Sequence, residues 1–459
     1  LVRFDLREYA SLFSAYTELR VQENRNVSVV FVKGNNTTNA RSAISGVSAR
    51  VYKGGSWGFS SSPELTPEAI KSVVKAATDN AAFLDLREKK GKPPLPAKNA
   101  VSENDFSTKK PKLTQKQLVE YMKELDGYIA RTYPNLTSRT VVLNSLEMEK
   151  TLLTSDGSSS HSMIPRTIVA VVMSMERDGK PVELSKTYGG LGQPEDVLGS
   201  PLDLSDLIEE QYQHLVRKSE GVFANAGLRT CVLDADLAGI LAHEAIGHTI
   251  EADLVMAGSV ASGWIGKEVA SPLITLVDFA NTFDGAPCPV PVYIDDEGTK
   301  AEDTVVIDGG VLKTFLHNRE SAGHFGVQPT GNARAYLFSD EPLIRMRNTA
   351  FLPGKSKLQE MIESVEDGYY LMRPSNGQAD STSEFMFGIT LGYEIKNGKL
   401  GKAIRDTTIS GIAFDVLKTV TMVSDDMKWS CSGMCGKKQM IPVGMGGPAI
   451  KCKVNIGGR

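Results

Sequence analysis

The spacing of apolar residues divides this chain into a first half of strands and amphipathic helices and a second half of short strands around a single helix. Val27, Val29, Val30, Phe31 and Val32 form a β-branched run that ends at Gly34-Asn35-Asn36, a turn signal. Ala43 to Tyr52 alternates roughly, and Gly54-Gly55 closes it into a hairpin that runs on through Trp57-Gly58-Phe59. A helix is predicted from Thr66, which serves as N-cap with Pro67 at the first helical position and Glu68 in the first turn. Ala69, Ile70, Val73, Val74, Ala77 and Ala81 make its apolar face. A second helix opens at Thr114 with Gln117 three residues on, a capping box, and carries Leu118, Met122, Leu125 and Ile129 to its end at Tyr133-Pro134. Strands follow at Val141–Met148, Lys150–Thr154 and Thr167–Met175, then a third helix at Leu204–Val216. Residues 86–112 are rich in Lys and Pro without periodicity, which predicts an exposed connection.

Beyond the strand Leu228–Leu233, one helix is predicted from about Leu237 to Leu254. Short strands dominate the rest: Ile274–Val277, Val290–Ile294, Thr304–Ile307, Leu312–Leu316, Gly392–Ile395 and Thr408–Ile412, with one more helix near Lys357–Ser364. Asp308-Gly309-Gly310 and Asn397-Gly398 are hairpin-type turns. The pattern predicts an α+β fold. Residues 1–218 form a mixed domain of antiparallel sheet with helices on one side, and residues 219–459 a β-rich domain that carries the second-half helix.

At 459 residues the chain is long enough for two or three cores. A net charge of −4 supplies no footprint for nucleic acid or an acidic membrane surface. The longest apolar run, Thr167–Met173, is too short to span a bilayer. No basic segment followed by an apolar one precedes Tyr9. Five unevenly spaced cysteines do not read as a disulfide framework. A cytoplasmic setting with free thiols is expected, and free thiols can bind metal.

The chemistry concentrates in His243-Glu244-Ala245-Ile246-Gly247-His248. Two imidazoles can ligate zinc, and the adjacent carboxylate can take a proton from water. In the familiar H-E-x-x-H spacing the histidines stand about 40° apart around a helix, whereas one extra residue puts them about 140° apart. A shared metal therefore demands that the helix end, bend or take a π-bulge, and Gly247 sits where a distortion is cheapest. A third ligand must come from elsewhere. His317, His324, Cys231, Cys431, Cys435 and Cys452 all qualify by chemistry, and Cys431, Cys435 and Cys452 also suggest a separate structural zinc site. Glu251 and Asp253 are either partners of the histidines or polar residues that end the helix.

The segment His243–Asp253 resembles the signature of the TldD/PmbA family of peptidases. The resemblance continues through Asp295-Asp296-Glu297-Gly298, Thr330-Gly331-Asn332-Ala333-Arg334 and Arg345-Met346-Arg347-Asn348. It reaches Ser410-Gly411, Gly433-Met434-Cys435-Gly436-Lys437 and Pro442-Val443-Gly444, and near the start it includes Gly46-Val47, Arg50 and Gly58-Phe59. It implies a two-domain zinc metallopeptidase acting on unfolded or short peptides. Zn²⁺ would be held by His243, His248 and Cys435, with Glu244 as general base, and the remaining cysteines would be ordinary thiols. Asn332, Arg334 and Arg345 are expected either to orient a peptide or to serve as turn and ion-pair residues. The peptide backbone is expected to add as a strand to the β-rich domain. Family members form dimers that enclose the site, so a homodimer or a heterodimer with a PmbA-like subunit is expected, with no direct nucleic-acid or membrane contact. The other readings are a non-catalytic peptide-binding subunit and a regulator associated with gyrase, since relatives carry the label of gyrase modulators.

Overall fold

The computed structural model describes residues 4–379 and 382–457 and has an α+β architecture. Seven strands form one sheet in the first half: β1 (Tyr16–Val32), β2 (Asn35–Lys53), β3 (Ser56–Ser62), β4 (Val101–Asp105), β5 (Ser138–Thr154), β6 (Ser159–Arg177) and β7 (Lys180–Leu191). Their order is β3-β2-β1-β5-β6-β4, with β7 also on β6, and every pairing is antiparallel except β4 with β6. The turn at Lys33-Gly34 takes positive φ at both residues, which the glycine accepts without a Cβ penalty.

Helices α1 (Pro67–Glu88), α2 (Gln115–Thr132) and α3 (Ser205–Ser219) cover one face of this sheet. Thr66 accepts from the Ala69 amide as N-cap, and Thr114 with Gln117 forms the capping box. Leu19, Val21, Val29 and Phe31 alternate onto the helix side of β1, where each buried aliphatic side chain contributes roughly 1.5–3 kcal/mol. Segment 86–112 departs from the expected bare connection, because α1 runs on to Glu88 and β4 pairs with β6. The two strands predicted at 141–148 and 150–154 are one continuous β5, since no turn residue separates them.

The opposite face of β1 is polar in letter yet buried. Glu18, Arg20, Gln22 and Asn24 are all under 4% exposed, and they meet the second half of the chain. Gln22 and Asn24 both donate to the Tyr336 carbonyl, and Arg20 donates to the Asp340 carbonyl at 2.7 Å. Arg50 pairs with Glu18 at 2.9 Å and with Glu297. The halves are thus joined through buried polar and charged side chains.

The second half contains β8 (Gly227–Leu233), α4 (Ala235–Ile240), β9 (Leu276–Phe279), β10 (Thr304–Asp308), β11 (Asn348–Phe351), β12 (Asp367–Ala379), β13 (Glu384–Lys396), β14 (Lys399–Ile404), β15 (Thr407–Ile412), β16 (Met434–Cys435), β17 (Ile441–Pro442), β18 (Gly444–Gly447) and β19 (Ile450–Ile456). One sheet runs β12-β8-β19-β15-β13-β14, and β12 also pairs with β13, so the strands close on themselves. A second sheet includes β10, β9, β11 and β18. The division proposed at residues 218 and 219 falls at the end of α3, but the packing crosses it. Val169, Val171, Ile208 and Leu215 share a cluster with Val232, Tyr370 and Leu391. Among the described residues, no helix is long and apolar enough to cross a membrane.

Candidate metal centre

Asp234 ends β8 and caps α4 by accepting from the Leu237 amide at 2.9 Å. Leu237, Ala238, Leu241, Ala242, Ala245 and Ile246 are fully buried, which sinks the whole segment into the core between the two sheets. Gly239 lets α4 lie directly on β18, since a Cβ there would stand 2.9 Å from the Gly446 nitrogen. The single helix expected over 237–254 is instead four short pieces. After α4 come a π-helical segment at Leu241–Gly247 and a 3-10 turn at His248–Ile250, with a short helix resuming at Ala252.

The π-helical hydrogen bond spans i to i+5, so residues five apart come one above the other. His243 and His248 therefore face the same side, with ring centroids 5.4 Å apart. Gly247 has an ordinary right-handed helical conformation (φ −54°). Its lack of a Cβ serves a contact instead, because that atom would sit 1.9 Å from the Met346 sulfur.

Cys435 comes from the β16–β17 hairpin and is buried beneath the two rings. Its sulfur lies 3.4 Å from His248 Nε2, and one ligand atom from each of His243, His248 and Cys435 fits within a span of 4.8 Å. Among the described residues, this is the sole cluster of three such donors. Glu244 Oε2 lies 3.5 Å from His248 Nε2, and Oε1 lies 4.0 Å from His243 Nε2. On the far side of its ring, His248 Nδ1 is 2.9 Å from Glu251 Oε2. Lys437 Nζ in turn reaches Glu251 at 3.2 Å, Asp253 at 2.7 Å and the Ile344 carbonyl at 3.1 Å. This chain fixes the ring with Nε2 aimed at Cys435 and Glu244.

Burial alone would push the Cys435 thiol up, but the nearby His243 and the hydrogen-bonded His248 bring it down to about 3. Burial pulls the His248 imidazole down, and its bonds to Cys435 and Glu251 outweigh this and raise it to about 10. Each group thus favours the charged form of the other. His243 is fully buried, and neither ring nitrogen has a hydrogen-bond partner. Such an orphan costs about 1–3 kcal/mol unless something else takes it up. Two imidazole nitrogens, His243 among them without another partner, and the Cys435 sulfur match the donor set that zinc prefers.

The other sequence candidates lie elsewhere. His317 is buried and bonded to Ser321 Oγ at 3.1 Å, and burial holds its imidazole down at about 4. Cys231 and Cys452 are cross-strand neighbours on β8 and β19, and Cys431 is bonded to the Gly189 carbonyl. Asn332, Arg334 and Arg345 are buried behind the hairpin rather than open to the cleft. Arg345 donates to the Cys435 carbonyl at 2.7 Å and to the Gln439 carbonyl at 2.8 Å. Arg334 donates to the Pro442 and Met346 carbonyls, and Asn332 to the Arg345 carbonyl and to Asp278. Lys437 and Met346 stand in the quoted motifs, but nothing in their spacing gave either a role, because each acts through a residue distant in sequence.

The chain is similar to known proteins along most of its length. Residues 227–458 match the PmbA/TldA metallopeptidase C-terminal domain, and residues 17–81 match domain 1 of the same metallopeptidases. A metalloprotease of Methanothermobacter thermautotrophicus is 30% identical over 95% of this chain and 94% of its own length. A protein of Saccharolobus solfataricus, named as a zinc metalloprotease TldD homolog, is 29% identical over 90% of both chains. The fold is shared with a Thermotoga maritima protein described as a candidate modulator of a DNA gyrase, at a TM-score of 0.81 and 21% identity over 98% of both chains. It is also shared with TldE from Thermococcus kodakarensis, at a TM-score of 0.73 and 16% identity over 99% of both chains. By sequence along nearly its whole length, and by the motif helix at its centre, this chain belongs to the PmbA/TldD family of metallopeptidases.

Proposed function

We propose that the protein is a zinc-dependent peptidase that hydrolyses unfolded or short peptides. The observation that carries this reading is the Glu244 carboxylate, half-buried in a cleft and 3.5 Å from His248 Nε2, beside the orphaned His243 ring. His243, His248 and Cys435 would hold the metal. Zinc held there would supply the Lewis acidity that activates water and polarises a scissile carbonyl. Glu244 accepts the proton of the attacking water on its carboxylate and returns it to the leaving amine. Glu251 keeps the His248 ring in one orientation, and Lys437 neutralises the otherwise buried Glu251. Arg345 and Arg334 pin the backbone of the hairpin that carries Cys435.

The cleft measures about 1290 Å³, above the roughly 300–1,000 Å³ typical of small-molecule pockets. That size suits an extended polypeptide. A homodimer, or a heterodimer with a PmbA-like chain, would enclose it, and the fold shared with TldE supports this. Chelation is the first test. Removal of metal should abolish cleavage of an unstructured peptide, and zinc added back should restore it. Cleavage that persists in chelator sinks the proposal.

A further inference from the structure

The cleft around Glu244 and His248 carries several exposed large apolar side chains among polar ones such as Glu384, Asp415, Lys437 and Lys453. Leu228 and Met386 line it at 63% and 58% exposure, and Ile412, Met434 and Met440 join them as exposed large apolar residues. On β13, Phe385 and Phe387 point inward, so Met386 stands on the outward face, which ordinarily carries polar side chains. Met434 and Met440 flank Cys435 in the hairpin, so the apolar wall begins one residue from a proposed metal ligand. Apolar side chains clustered at a cleft mark a binding surface. Methionine is flexible and polarizable, so it re-packs around apolar groups of varied shape.

We infer that the cleft selects peptides with large apolar side chains next to the scissile bond, with Met386, Ile412 and Met440 as specificity-determining residues. The inference rests on the peptidase reading above. A peptide is the occupant because this wall is continuous with Glu244 and His248, the groups proposed to act on it. Selection is broad among Leu, Met and Phe, since methionine walls adapt to each. It disfavours Ser and Gln beside the scissile bond, since they bury less apolar surface against the methionines.

The test uses the zinc-loaded protein and unstructured peptides of equal length and charge that differ only in Leu, Met or Phe against Ser or Gln at two adjacent positions. Cleavage beside the apolar pair is expected to be faster by about tenfold or more in kcat/KM. The Met386→Gln/Met440→Gln variant should shrink that ratio to about threefold or less, with zinc content and oligomeric state measured alongside. Equal cleavage of both peptide sets overturns the inference and leaves the peptidase reading standing. If neither set is cleaved, the peptidase reading falls, and binding of fluorescent peptides to Glu244→Gln decides the selectivity alone. Equal affinity there overturns it. A double variant that changes oligomeric state without changing peptide preference also overturns it, and assigns the wall to contact between copies.

Discussion

The sulfur of Met346 occupies the space in which a Cβ on Gly247 would stand, 1.9 Å from that position. The glycine is thus required by volume, not by backbone freedom. Gly247→Ala must displace Met346 or tilt the π-helical segment, and overpacking of this kind costs about 1–3 kcal/mol. Because His248 is the next residue, zinc affinity should fall with stability. The double variant Gly247→Ala/Met346→Ala should recover much of the affinity. Zinc titration and thermal melts of both check this, and a single variant with wild-type affinity would show that the contact is soft.

Lys437 acts on the metal centre through two intermediaries, Glu251 and His248. Lys437→Met should leave the fold intact and weaken zinc binding by about 10–100-fold, the usual cost of losing an outer partner. Lys437→Arg should retain more affinity than Lys437→Met. Competition with a chelator of known affinity measures both, and equal losses in the two variants argue against an electrostatic role.

Arg345 separates two roles cleanly. Its guanidinium holds the Cys435 and Gln439 carbonyls, so Arg345→Met leaves buried acceptors unpaired at a cost of about 1–3 kcal/mol each. The variant should lose stability and zinc together. A raised KM with full zinc content would instead restore the peptide-orienting role considered for this residue.

Glu18 provides a pH test of the contact between the halves. Burial raises its carboxyl to about 7, with the Arg50 guanidinium opposing and the Glu297 carboxylate adding to the shift. Between the ordinary carboxyl value of 4.5 and about 7, the folded state holds a proton that the unfolded chain has released. Stability from this group is therefore present at low pH, falls as pH rises through that window, and levels off above it. The melting temperature of wild type minus that of Glu18→Gln should be larger at pH 5 than at pH 8. A difference independent of pH contradicts the raised value.

Much of this was legible in the sequence. The caps at Thr66 and Thr114 and the glycine turns delimited the helices and hairpins, because each is a local rule with a local signal. A metal shared by His243 and His248 demanded that the helix end, bend or bulge between them, and a π-helical segment is there. The polar face of β1 was not legible. Glu18, Arg20, Gln22 and Asn24 carry no apolar signal, and only tertiary contacts reveal that they are buried against residues some 300 positions away. The reason for Gly247 was equally hidden, since a close approach between distant residues leaves no periodic trace. Asn332, Arg334 and Arg345 show the same limit, because charge in a motif does not say which way it faces.

The central claim is that Glu244 serves as the base at a zinc site built by His243, His248 and Cys435. The most direct measurement compares zinc stoichiometry and peptide hydrolysis in wild type and Glu244→Gln. The account predicts equal zinc content in both proteins and loss of hydrolysis only in the variant. Full hydrolysis by Glu244→Gln, or no zinc in purified wild type, would contradict it.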